Sequence, residues 1–563
     1  RLRQATARGP VHRPGERKDL PAMRVIKGTR IIAGAVMFAI LAACAGGSGS
    51  RSDAAPDRPV RMSIGEPQNL LIPGNTKETE GSEVLGALFT PLVSYDEDKK
   101  PFEDAAESIT SSDNRIWTIK LKPGFTWHNG EPVVAQNYVD AWNYVANQAN
   151  AQAGNHFFSR IAGYAELNPG RGERPAADRL RGLRVIDERT FQVTLSEPFS
   201  QFKAMLGYTA FYPLPRAAFG PDGRIAPWYG EQPIGQGLFK MDRPYRKGVD
   251  QTIELSVYDR HPGPKPKFRR LQFKIYTNLE RAYEDLLAGD IDIMDQLPSS
   301  VLGTARARLG ERFIDLPDAG VGYIGTPLKY NKVYSDPKVR KAISMAIDRK
   351  TITEVVFSGS RVPADDFINP AIDGYRQGIC GEPCMYDPAK ARQLYIEANG
   401  PKKIELGYNS DGPHREWVEA VGENLRRNLN VEVTVKAFDK FGTILDQLDA
   451  NKYGGLFRMG WVIDYPSAEN FLTPVFSTAA IAHGQNFGGY SNKEFDELIK
   501  KGDAARTPEE GLKYYQMADD ILIRDLPYIP VYFYRLNAAY SHHLKNVQIN
   551  LRNQVDWLSI EWA

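Results

Sequence analysis

The chain has 563 residues, with 71 Lys or Arg against 69 Asp or Glu, and is 42% hydrophobic and 11% aromatic. That is too long for one hydrophobic core and implies several domains, while aromatics spread along the chain exclude a disordered or fibrous polymer. The formal charge of +2 belongs to the N-terminus: the first 43 residues hold nine basic and two acidic side chains, so the remainder carries a net of about −5. No Lys/Arg-rich run with interleaved aromatics survives there, which argues against a nucleic-acid partner.

In chain order, residues 1–22 show no apolar periodicity and are read as an upstream stretch outside the fold. Met23, the basic Arg24, Lys27 and Arg30, the apolar run Ile31 to Ala43 and then Leu41-Ala42-Ala43-Cys44 form a lipoprotein export signal over residues 23–43. The apolar run is about 13 residues, short of the roughly 20 that span a bilayer. Cys44 is the expected lipidation site. Residues 44–56, with Gly46-Gly47-Ser48-Gly49-Ser50, read as a flexible tether that places the rest outside the cytoplasm, on a cell surface or in a periplasm.

Beyond the tether, strand-like and helical segments alternate. Val60 to Gly65 and Ile116 to Leu121 alternate as half-buried strands do. Ala282 to Ala288 reads as a helix stopped by Gly289, followed by the strand Ile291 to Met294. Tyr334 to Val356 reads as one helix, with Asp336 as cap, Pro337 at its first position and Val339, Ala342, Ile343, Ala346 and Ile347 at helical spacing. Asp387-Pro388 to Asn399-Gly400 repeats the same start, with a glycine stop.

Gly320-Val-Gly-Tyr-Ile-Gly325 spells a dinucleotide-binding fingerprint, but it runs into Thr326-Pro327 where that motif needs a helix, so a strand is expected. Cys380 and Cys384 lie in a Gly/Pro loop of an exported chain, where a small local disulfide is expected; free thiols or a metal site are the alternatives, and no His accompanies the pair. No nucleophile elbow, His-Glu-x-x-His or phosphate loop is present, so no catalytic residues and no cofactor are assigned. His542-His543 has no third ligand, and no metal is expected.

Six blocks in order resemble the extracytoplasmic solute-binding proteins of peptide and nickel ABC importers, solute-binding family 5. They are Leu121-Lys-Pro-Gly-Phe-Thr-Trp-His-Asn-Gly-Glu-Pro-Val, Pro233-Ile-Gly-Gln-Gly-Leu-Phe, Leu287-Ala-Gly-Asp-Ile-Asp-Ile, Asp336-Pro-Lys-Val-Arg-Lys-Ala-Ile-Ser-Met-Ala-Ile-Asp-Arg, Tyr386-Asp-Pro-Ala-Lys-Ala and Tyr490-Ser-Asn-Lys-Glu-Phe-Asp-Glu-Leu-Ile. The resemblance implies an α/β fold: a bilobed, hinged, periplasmic-binding-protein-like clamp of class II with mixed sheets and an extra inserted domain. Lobe I would comprise 57–95, 214–318 and 533–563, the inserted domain 96–213, and lobe II 319–532.

The same resemblance places the ligand at Arg458-Met-Gly-Trp-Val-Ile-Asp464. In peptide-binding members the position of Asp464 pairs with the ligand's α-ammonium and that of Trp461 lines a side-chain pocket. Arg458 matches an Arg directed toward the ligand's carboxylate, and His414 a His serving longer ligands. Backbone groups of Gly460 and Val462, and of the strand near Val321 to Tyr323, are candidates for main-chain bonds to an extended peptide. The chemistry is consistent: a free peptide brings one cation and one anion, each of which needs a partner once buried, and Arg offers a planar fork to a carboxylate. The implied function is a lipid-anchored, monomeric receptor that hands short peptides to an ABC permease and its ATPase subunits. The alternatives are a receptor for a nickel chelate, sugar or amino-acid derivative, or a peptide sensor, with an exported hydrolase disfavoured.

Overall fold

Two 13-residue strands, Phe313–Gly325 and Tyr528–Tyr540, pair antiparallel and form the spine of the molecule. Pro317 has no N–H to give the ladder, and the register shifts between Pro317 and Val321. Carbonyls released there are recovered by one side chain: Asn369 Nδ2 donates to Asp318 O at 2.9 Å and to Gly320 O at 2.6 Å. The spine is thus one pair of strands with a bulge at its middle. The computed structural model describes residues 58–563 except 97, 171, 411–412, 440, 484 and 551–552. The expected signal, Cys44 and tether therefore lie outside the described residues.

An 11-stranded mixed sheet is built on the spine. On one side it continues through Leu456–Val462, Lys403–Asn409 and Glu432–Phe438, and on the other through Ile293–Met294, Val60–Ile64, Arg270–Ile275, Thr252–Val257 and Phe239–Met241, while the short strand Arg361–Pro363 pairs with Tyr528–Tyr540 off this path. The first half is covered by a large core that includes Tyr323, Phe367, Trp417, Phe471, Phe476 and Tyr528. The second half packs around Val60, Phe89, Leu255, Phe273 and Trp557. A separate antiparallel sheet of four strands, Ala106–Thr110, Ile116–Leu121, Thr190–Thr194 and Leu183–Asp187, carries the helix Ala135–Ala146. Tyr138 and Trp142 of that helix pack on Phe191 with ring centroids 5.5 and 5.4 Å apart. The alternating strands read from sequence, Val60–Ile64 and Ile116–Leu121, form with alternating burial in the second case.

Helix starts follow the caps legible in the sequence. Asp336 accepts from Lys338 N, Asp387 from Lys390 N, and Gly289 closes Leu279–Ala288 at φ +80°. The helix expected from Tyr334 to Val356 is instead three pieces: Pro337–Met345, a short turn Arg349–Thr351, and a single wide turn Ile352–Val356. The cause is Arg349, a buried cation that takes Ser344 O, Ile347 O and Pro530 O at 3.0, 3.4 and 2.8 Å. A continuing helix would need Ser344 O and Ile347 O for its own N–H groups; Asp348 N goes to Asn424 Oδ1 and the Asp348 carboxylate caps a new start at Thr351. The stop of Pro388–Glu397 also differs in detail, since the left-handed residue is Asn399 at φ +50° rather than Gly400. Gly400 is required for space, because a Cβ there would lie 2.4 Å from the Tyr395 ring. The sulfurs of Cys380 and Cys384 are bonded, four residues apart.

Candidate functional site

The segment that the sequence singled out is the strand Leu456–Val462 and the turn after it. One edge of this strand is fully used: Phe457 to Val462 lie opposite Gly325 to Gly320 of the spine. The other edge pairs in parallel with Lys403–Asn409 only at Leu406–Leu456 and Gly407–Phe457. From Met459 to Val462 that second edge has no strand partner among the described residues. A strand edge of this kind presents alternate backbone N–H and C=O groups to whatever extended chain can reach it.

The glycines of the false dinucleotide motif are explained by the same sheet. A Cβ on Gly322 would stand 2.4 Å from the Tyr532 ring, one on Gly320 2.6 Å from Tyr534, and one on Gly325 2.2 Å from Phe457. Aromatic rings of the neighbouring strands lie flat where side chains would be. Gly460, opposite Gly322, has the Tyr534 hydroxyl 3.0 Å from its missing Cβ, so the open edge has tyrosine beside it.

The predicted side chains take these places. Arg458 is 9% exposed, donates from Nε to Asn409 Oδ1 at 2.6 Å and holds its guanidinium 4.4 Å over the Phe441 ring. Trp461 is half-buried and Val462 is 51% exposed, at the solvent end of the strand. Asp464 is half-buried just past the strand, with its carboxylate Oδ2 accepting from Asn470 Nδ2 at 3.1 Å and its backbone N–H donating to Asn470 Oδ1 at 2.8 Å. His414 stands at the start of the helix Arg415–Leu429 and makes no side-chain cap; its Nδ1 accepts from Trp417 Nε1 at 3.3 Å. Trp417 in turn meets Tyr532, and Tyr532 meets Tyr534, at centroid separations of 5.4 and 5.3 Å. Arg458, Gly460, Trp461, Val462 and Asp464 therefore share one strand and its turn, and His414 connects to them through an aromatic chain.

Residues that the sequence reading missed include Asn409, Phe441, Tyr534 and Asn470. For Asn470 a signal existed: a buried amide must find partners, and this one sits six residues after an Asp in the first turn of a capped helix, Ala468–Phe476, with Ser467 Oγ accepting from Glu469 N. That helix start is also a junction. Tyr465 donates to Glu469 Oε2 at 2.5 Å and is packed in the core of the four-stranded sheet, whose Arg160 bridges Glu469 and Asp503 at 2.9 Å each. Burial raises the Asp503 carboxyl to about 6 against the opposing pull of Arg160, and raises the Tyr465 hydroxyl well above its usual range.

A cavity of about 1140 Å³ lies elsewhere, lined by Glu83, Phe89, Tyr212, Pro370, Leu536 and Trp557 among others, and none of Arg458 to Asp464 lines it. Among the described residues there is no group of three His, Cys, Asp or Glu that could hold a metal, and no helix long and apolar enough to cross a membrane.

Comparison with known proteins bears on the family and the fold. A family profile described as bacterial extracellular solute-binding proteins, family 5, middle part, matches residues 100–483. The chain belongs to this family. The oligopeptide-binding protein OppA of Bacillus subtilis (strain 168) is 26% identical over 533 residues, which is 90% of this chain and 94% of that protein. The periplasmic murein peptide-binding protein MppA of Escherichia coli (strain K12) is 25% identical over 480 residues, 83% of this chain and 86% of its own. The solved structure of the Escherichia coli murein tripeptide binding protein MppA matches with a TM-score of 0.77 at 23% identity, over 91% of this chain and 99% of that one. The mixed α/β binding-protein fold expected from the sequence is the fold found, and the family is one of solute capture outside the cytoplasm.

Proposed function

We propose that this chain is a receptor that binds short peptides in extended form against the open edge of Met459–Val462 and delivers them to an ABC permease. The carrying observation is that edge, unpartnered by any strand among the described residues and followed by the half-buried carboxylate of Asp464. Strand addition gives affinity through main-chain hydrogen bonds, which every peptide sequence offers equally. Asp464 takes the ligand's α-ammonium and the Trp461 ring flanks its first side chain. Arg458, oriented by Asn409 and Phe441, addresses the carboxylate end, with His414 serving longer ligands. The relatives named for oligopeptides and murein peptides support this reading.

The lobes fall at 57–95, 214–318 and 533–563 for the first and 319–532 for the second, with 96–213 inserted. The distribution of the three main cores supports that division, as does the passage of the spine strands between two of them. The protein acts by binding, without catalysis, as a monomer tethered through lipid on Cys44. Purification without refolding, followed by mass spectrometry of whatever leaves on denaturation, tests the proposal. A heterogeneous set of short peptides is expected. A single non-peptide compound, or an empty protein that ignores added peptides, would refute it.

A further inference from the structure

Asn470 is 1% exposed, and its amide is committed on all of its described contacts to the two residues proposed to recognise the ligand. Its Oδ1 accepts from Asp464 N at 2.8 Å and from Trp461 Nε1 at 3.4 Å, while its Nδ2 donates to Asp464 Oδ2 at 3.1 Å. Both groups facing Oδ1 are donors only and the group facing Nδ2 is a carboxylate, so the orientation of the amide is dictated by its neighbours. The amide leaves the first turn of a helix whose neighbouring Glu469 is tied to Tyr465 and Arg160.

We infer that Asn470 is the positioning residue of the ligand-ammonium site, setting the rotamer of the Asp464 carboxylate and the tilt of the Trp461 ring before a ligand arrives. This rests on the proposed role of Asp464. Freezing a carboxylate's rotation on binding costs affinity, and an amide that holds one of its oxygens restricts that rotation before the ligand arrives. A single amide bonded to both the acid and the indole also couples the charge site to the first side-chain pocket, so the spacing of these two groups of the protein depends on this residue.

The experiment measures, by titration calorimetry on the purified protein, the affinity ratio of trialanine to N-acetyl-trialanine for the wild type and for Asn470→Ala, Asn470→Ser and Asp464→Ala. A role that is only structural weakens both peptides alike and leaves the ratio intact. Positioning lowers the affinity for the free-amino peptide by about tenfold more than for the acetylated one, the loss of one hydrogen bond to a charged group, so the ratio falls by that factor. Asn470→Ser, too short to reach Asp464 yet polar, provides the same readout should the Ala variant fold poorly. A wild-type ratio in the Asn470 variants beside a collapsed ratio in Asp464→Ala overturns the inference alone. A wild-type ratio in Asp464→Ala overturns the ammonium site itself, and the inference with it.

Discussion

Arg160→Met tests how the four-stranded body is held to the large core. The guanidinium bridges Glu469 and Asp503 at 2.9 Å each and lies 3.7 Å over the Phe199 ring, and the two acids are 1% and 6% exposed. Met keeps the stem and removes the charge, leaving two buried carboxylates without their cation. Breaking a buried pair in this way costs about 3–5 kcal/mol, and the low end applies because the Arg160 side chain keeps 28% of its surface exposed. At roughly 2–4 °C per kcal/mol for a cooperative unit of 150–250 residues, Tm at pH 8 falls by about 9 °C.

The pH dependence of that loss follows from Asp503, which burial raises to about 6 while Arg160 pulls it down. A carboxyl whose folded pKa lies above its unfolded value contributes stability that is whole below about 4 and is lost as pH rises through the folded pKa. Without Arg160 the folded pKa climbs further, so the loss extends to higher pH. The gap between variant and wild type is therefore widest near pH 8 and narrows below about pH 4, where Asp503 is protonated in both. Adding Glu469→Gln and Asp503→Asn to Arg160→Met restores most of the stability at pH 8. Differential scanning calorimetry across pH 4–8 checks this. A Tm within 1 °C of wild type at pH 8, or a deficit that does not change with pH, would refute the argument.

Three further outcomes are expected. Asp464→Ala weakens trialanine binding by about 30-fold or more, the cost of leaving a desolvated ammonium unpaired at about 2 kcal/mol, measured by calorimetry. Gly322→Ala drives a Cβ into the Tyr532 ring and lowers stability by about 1–3 kcal/mol in urea unfolding; an unchanged midpoint would show that the ring can move aside. His128, held neutral by burial with its pKa lowered to about 3, accepts from Gly235 N at 3.1 Å. Its folded pKa is depressed, so stability is whole above about pH 6.5 and falls as pH drops toward 3. His128→Asn, whose Oδ1 can take the same N–H, flattens that decline in acid-unfolding curves.

Much of the local structure was legible because it depends on neighbours in sequence. Asp336, Asp387 and Gly289 act within a few residues of themselves, and caps of that kind form in any tertiary setting. The strand containing Arg458 to Val462 was legible only through family resemblance. The break in the expected Tyr334–Val356 helix was not legible. It is made by Arg349 reaching a carbonyl at Pro530, a partner 181 residues away that no periodicity reports.

The sequence by itself determined the family, several strands and helices, and the short stretch proposed to hold the ligand, because motif, cap and alternation are properties of adjacent residues. Only the tertiary structure decided which edge of Leu456–Val462 stays open, why four glycines are needed beneath tyrosine and phenylalanine rings, that Asn470 bonds to Asp464, and that Arg160 bridges Glu469 and Asp503. Those are properties of segments distant in the chain and adjacent in space. Hydrogen bonds and ring contacts act over about 3–6 Å, so their partners become known only once folding has brought them together.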